Sequence, residues 1–254
     1  MSQDRSDRAP ANPAPAQTQS RETAPAPAPS PRADIDAFLN SVKAFGPAAA
    51  AEPGKRGRLI FALDATMSRQ PTWDSACRLQ GEMFREAAAV GGLDIQLVYY
   101  RGLAECRASP WVAEAARLGG LMARIHCEGG PTQIDKVLAH ARREAEVSKV
   151  AALTFIGDAM EESPGELCTR AGELALRNVK AFMFQEGYDP ACEKAFREIA
   201  RLTGGAFCRF TPGAAHELGE LLRAAAAYAA GGMKALANLK AQSAGAVRLI
   251  EQLK

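Results

Sequence analysis

From Arg58 onward, short uncharged runs alternate with stretches of helical period. The six residues from Leu59 include Leu, Ile and Phe with no charge until Asp64, which is the pattern of a strand covered on both faces by helices. Runs of the same kind occupy residues 94–100, 150–156, 180–184 and 206–210, with a short hairpin partner expected around 104–107. Between them, apolar residues recur at helical spacing over 73–89, from Thr132 through Ile134, Val137, Leu138 and Ala141, and over 164–176, 190–202 and 214–230. The helical pattern of 111–124 is interrupted by Gly119-Gly120, which predicts a break or two short helices. Alternation of this kind gives an α/β fold: a doubly wound, mostly parallel sheet flanked by helices.

The pattern divides the chain into four parts. Residues 1–32 are dominated by Ala, Pro, Ser, Gln and Arg, with no aliphatic or aromatic residue larger than Ala after Met1. They bury too little apolar surface to offset chain entropy and read as a disordered tail. Residues 33–57 hold a short amphipathic helix, with Ile35, Phe38, Leu39, Val42 and Phe45 on one face, and then a Pro/Gly-punctuated linker. A helix of about three turns is marginal by itself, so it docks either on this chain or in a partner's groove. The main domain spans 58–230, and residues 231–254 read as a C-terminal helix that either packs on the domain or mediates self-association.

Charge and cysteine usage narrow the function classes. The net charge is +2 with both signs interleaved, and aromatics make up 6% of the chain, so neither a nucleic-acid footprint nor a base-stacking platform stands out. No stretch approaches the roughly 18 apolar residues of a membrane span, and the first residues lack the apolar core of a signal peptide. A cytoplasmic location is expected. The 6 cysteines include no Cys-x-x-Cys pair, which removes the sequence basis for a zinc or thioredoxin-like site and makes small core residues their default role. His126-Cys127 is the one adjacent thiol and imidazole pair, and no third group is placed to orient it.

Candidate chemistry lies where the apolar runs end. The first run closes in Asp64-Ala-Thr66-Met-Ser68, an Asp and two hydroxyls beyond the carboxyl end of a strand, where ligands gather in open α/β sheets. Carboxylate and hydroxyl oxygens favour Mg²⁺ or Mn²⁺ over zinc; equally, the three residues can cap the helix that follows. The loop Gly129-Gly130-Pro131-Thr132 delivers another hydroxyl ahead of a helix, where Thr132 also reads as an N-cap. The run ending in Gly157 is followed by Asp158, with Glu161 and Glu162 behind it. These glutamates read as first-turn charges of the helix that starts at Pro164, or as rim residues.

Together, Asp64, Thr66, Ser68, Thr132 and Asp158 resemble the metal-ion-dependent adhesion site of von Willebrand factor type A (vWA) domains: Asp-x-Ser-x-Ser, then a loop Thr, then an Asp after a later strand. The match in order and spacing covers about residues 58–228, and Thr66 departs from it, standing where Ser is usual. The resemblance implies a Rossmann-like vWA fold and a Mg²⁺ held by those five residues. It implies direct ligation by the hydroxyls of Thr66 and Ser68, with the aspartates acting mostly through water. A largely neutral direct shell leaves the ion seeking an anion, so the implied partner is a protein that offers an acidic side chain, over a rim of Gly130, Met160, Glu161 and Glu162. Intracellular relatives often work beside chaperones or ATP-driven machines. On this reading the protein is an interaction module and not an enzyme. Two alternatives remain open at the sequence level. One is a Mg²⁺-dependent phosphotransfer or hydrolytic enzyme with Asp64 as nucleophile, weakened because Thr66 stands where a second Asp would serve as general acid. The other is a scaffold with a vestigial metal loop.

Overall fold

The run that follows Arg58 becomes the central strand of the sheet. The computed structural model describes residues 56–70, 73, 92–211 and 214–253. Strand β1 (Gly57–Asp64) pairs in parallel with β2 (Leu93–Arg101) on one side and with β4 (Ala152–Gly157) on the other. Strands β5 (Lys180–Glu186) and β6 (Ala206–Phe210) extend the parallel sheet, and β3 (Glu105–Ala108) adds an antiparallel edge against β2. The order is β3-β2-β1-β4-β5-β6. Chain progression therefore runs outward from β1 in one direction and then outward from β4 in the other, and the reversal falls between β1 and β4.

Alternate residues of β1 feed two apolar layers, as strand geometry requires. Leu59, Phe61 and Leu63 join the layer formed with α1 (Ala115–Met122), α5 (Ala215–Leu239) and α6 (Ala244–Ile250). Ile60 and Ala62 join the opposite layer, built from α2 (Ile134–Val147), α3 (Pro164–Ala175) and α4 (Pro190–Thr203). Helix α4 begins and ends on the signals its sequence carries. Asp189 accepts a hydrogen bond from the Cys192 N–H at 2.6 Å, Pro190 opens the first turn, and Gly204 closes the helix at φ 61°.

Two expectations are corrected. The predicted break at Gly119-Gly120 is absent, because α1 runs through both glycines. Leu118, Leu121 and Met122 are fully buried against the sheet, which outweighs a glycine penalty of about 1 kcal/mol each. The C-terminal part is two helical pieces where one helix was expected. Helix α5 kinks at Gly231 and Gly232, the latter at φ 64°, and Ser243 starts α6 by accepting from Ala246 N–H at 3.2 Å. The predicted tail, the 33–45 helix and its linker as far as residue 55, Cys77, and the 73–89 helix apart from buried Trp73 lie outside the described residues. Among the described residues, Cys106, Cys127, Cys168, Cys192 and Cys208 are free thiols, and no helix is long and apolar enough to cross a membrane.

The C-terminal segment covers one edge of the sheet. Gln252 mimics a strand: its Oε1 accepts from Phe207 N–H and its Nε2 donates to Phe207 C=O, both at 2.8 Å, while Arg248 Nη2 donates to Arg209 C=O at 2.7 Å. An uncovered edge is a template for pairing with another chain. The Gln252→Ala/Arg248→Ala double variant is expected to lose about 1–3 kcal/mol with the three hydrogen bonds to the β6 backbone and to self-associate more than the parent in sedimentation velocity. Unchanged sedimentation and stability would contradict this role.

Candidate metal centre

Asp64 is the last residue of β1 and only 1% exposed. Its Oδ1 accepts from the Thr66 N–H at 2.7 Å, which closes a tight turn, and its buried Oδ2 has no hydrogen-bond partner. Burial raises its pKa and the neighbouring Asp158 carboxylate pushes the same way, while the bonds from Thr66 oppose both. Thr66 precedes a 3₁₀ turn (Met67–Arg69) but makes no side-chain capping bond there. Its hydroxyl lies 3.2 Å from that of Ser68. The Thr66 hydroxyl is buried and Ser68 is exposed, so the pair leads from the strand end toward solvent.

Leu63 pairs with Ile156, so Asp64 and Asp158 follow one another at the ends of adjacent strands, at the point where the strand order reverses. Asp158 Oδ1 is buried and, like Asp64 Oδ2, lacks a hydrogen-bond partner. Leaving such an atom buried and unpaired costs on the order of 1–3 kcal/mol, so two together at a strand-end crevice fit a bound cation.

The loop that leads to Thr132 is anchored beside the end of β1 and tied down at several points. The Glu128 N–H donates to Ala65 C=O at 3.0 Å, Arg101 Nη1 to His126 C=O at 2.8 Å, and Gln133 Nε2 to the carbonyls of Arg101 and Gly102 at 3.3 and 3.2 Å. Gly130 is required here, because a Cβ would sit 2.0 Å from Gly102 O. Thr132 and Glu161 bond reciprocally: the Glu161 N–H donates to Thr132 Oγ1 at 3.0 Å and the Thr132 N–H to Glu161 Oε2 at 3.1 Å. The Glu162 carboxylate accepts from the N–H groups of Ile134 and Asp135, both at 2.8 Å. Both glutamates thus serve the approach to α2, where Gln133 makes no side-chain cap, and not the first turn of their own helix, which was one of the two roles read from the sequence. Met160 packs partly buried against the core, and Gly130 is exposed.

Sequence reasoning missed three members of this cluster. Tyr100 is fully buried beside Asp64: burial first, and then the Asp64 carboxylate, raise its pKa, and its hydroxyl makes no hydrogen bond of ordinary geometry. Arg69, the last residue of the 3₁₀ turn, is 2% exposed and forms an ion pair with buried Glu186 at the end of β5. Burial lowers the Arg69 pKa, and Asp158 and then Asp64 are the leading attractions that oppose it. Hydrophobic period marks charged residues as exposed, so no pattern in the chain signals a buried guanidinium. The nearest hint is an Arg directly after the Asp-x-Thr-x-Ser segment.

The other candidates lie apart. Cys127 packs in the apolar core while His126 is exposed, an arrangement unlike a nucleophile–base pair. A groove of about 350 Å³ between β3 and α2, lined by Arg107, Lys136, His140 and Arg143 among others, includes none of the five predicted ligands.

No protein-family model and no curated protein sequence matches the chain. Solved structures do. A von Willebrand factor type A protein from Catenulispora acidiphila aligns with TM-score 0.54 at 18% identity over 68% of this chain. The chain spans 43% of that protein's length. The VWA domain of SpRpn10 aligns with TM-score 0.50 at 10% identity, over 64% of this chain and 95% of that domain. An aerotolerance-related membrane protein from Bacteroides fragilis gives TM-score 0.51 at 14% identity, over 67% and 98% of the two chains. At these identities the likeness concerns architecture, and the architecture of this chain is the von Willebrand factor type A fold.

Proposed function

We propose that the chain is a protein-interaction module that holds a Mg²⁺-type cation with Asp64, Thr66, Ser68, Thr132 and Asp158 and uses it to bind an acidic side chain of a partner protein. The observation that carries this reading is the pair of buried, unpartnered carboxylate oxygens, Asp64 Oδ2 and Asp158 Oδ1, at the ends of adjacent strands. A cation bound there supplies a coordination position that an anionic ligand completes. The residues prepare that contact in distinct ways. Asp64 commits one oxygen to the turn that presents Thr66 and keeps the other uncommitted. Thr132 is fixed by Glu161, and exposed Ser68 places a hydroxyl at the mouth. The names of neighbours in this fold agree in kind: one is the pilus adhesin SpaC from Lactobacillus rhamnosus GG, with TM-score 0.51 at 7% identity.

A phosphotransfer enzyme on the same strand end is the less favoured reading, since Thr66 provides a hydroxyl of high pKa where general-acid chemistry asks for a carboxyl group. Capture of partners from the native cell with Mg²⁺ and with a chelator tests the proposal. It expects a protein retained only with Mg²⁺ and displaced by free glutamate at high concentration. Capture indifferent to the chelator would contradict it.

A further inference from the structure

A buried arginine next to a cation site needs an explanation. The Arg69 side chain is sealed from solvent, and its backbone N–H donates to Thr66 C=O at 3.0 Å. It therefore belongs to the same short turn that presents Thr66 and Ser68. Its guanidinium forms an ion pair with Glu186, and because Gly157 pairs with Gln185, the next residues Asp158 and Glu186 stand at neighbouring strand ends; Asp158 and Asp64 also attract it electrostatically. The ion pair runs through Nη1, and the buried Nε has no hydrogen-bond partner, so the ion pair does not use up the guanidinium's capacity to donate. A guanidinium can meet a carboxylate through two parallel N–H groups. The two orphaned oxygens, Asp64 Oδ2 and Asp158 Oδ1, are the acceptors such a group would seek.

We infer that Glu186 is a positioning residue that holds Arg69 back from Asp64 and Asp158, so that the Arg69–Glu186 pair sets the divalent-cation affinity of the site. This rests on the metal reading above. Arg69 and a divalent ion are rival cations for the same two carboxylates. With Glu186 charged, the guanidinium has a partner of its own at the end of β5, one strand beyond β4. Without that charge its remaining anionic neighbours are the carboxylates meant for the metal, and it competes there with the advantage of a tethered group. Glu186 need not touch the ion to control it. The arrangement also links the ligand-bearing turn after β1 to the end of β5, so a change at one strand end is felt at the other.

Calorimetric Mg²⁺ titration of the whole chain, with thermal melting as a check on folding, separates this from a merely structural ion pair. Glu186→Gln is expected to weaken Mg²⁺ binding at least tenfold, and Arg69→Met in the same chain to restore it to within threefold of the parent. Arg69→Met alone is expected to bind Mg²⁺ at least as tightly as the parent, which keeps the test decisive should Glu186→Gln fail to fold. A parent that binds Mg²⁺ with a Glu186→Gln variant that binds it equally well would overturn the inference and leave the metal reading intact. So would a double variant that stays weak, or an Arg69→Met variant weaker than the parent. Absence of Mg²⁺ binding in the parent itself would instead remove the metal reading, and this inference with it.

Discussion

Asp64→Asn is expected to reduce Mg²⁺ affinity at least a hundredfold, to the point where no saturable binding is measured by calorimetry, while the chain still folds. The amide oxygen can keep the acceptor role that Oδ1 plays toward the Thr66 N–H, so the turn survives. What disappears is a buried negative charge. Burial and Asp158 both disfavour that charge in the metal-free protein, so its removal is a relief, offset by the lost attraction for Arg69. The opposing effects leave a net stability change expected within about 1 kcal/mol, the range of an ordinary substitution. A variant that binds Mg²⁺ like the parent, or that does not fold, would contradict the assignment of Asp64.

The largest loss of stability is expected at Phe155. This residue of β4 is fully buried, stacked on Tyr100 at 6.1 Å between ring centroids and edge-on to Phe196 at 5.4 Å. Phe155→Ala removes the ring that supports both neighbours and should cost about 3–5 kcal/mol, the usual range for deleting a buried aromatic. The consequence reaches the candidate site, because Tyr100 stands beside Asp64 and loses the ring it rests on. A urea midpoint for Phe155→Ala within error of the parent would show that the opposite layer carries the stability.

The strand ends were legible because composition changes abruptly there. An uncharged run that stops at Asp64, another that stops at Gly157-Asp158, and Pro and Gly at helix boundaries all act locally, and each lies within a residue or two of its predicted place. The glycine pair at 119–120 misled for the opposite reason: local propensity predicts a break, but burial of Leu118 and Leu121 is a tertiary effect. The strand β5 runs on through Gln185 and Glu186, two polar residues that apolar periodicity excludes. Glu186 could be placed only once Arg69, 117 positions earlier by subtraction, was seen inside the fold as its counter-charge. The roles of Glu161 and Glu162 were hidden in the same way. Their carboxylates accept from N–H groups at Thr132 and at the start of α2, roughly thirty residues back in the chain, and no local pattern joins segments so far apart.

The central claim is that Thr66 offers its oxygen to a divalent cation, and Mg²⁺ titration of the Thr66→Val variant beside the parent and Thr66→Ser tests it most directly. Valine keeps the β-branched shape while deleting the hydroxyl. The parent should show saturable binding. Thr66→Ser should fall within about tenfold of it, or roughly 1.4 kcal/mol, and Thr66→Val should show no measurable binding with an unchanged melting temperature. A Thr66→Val variant that titrates with Mg²⁺ like the parent would mean that Thr66 is no ligand, and the scaffold reading with a vestigial loop would replace the one proposed.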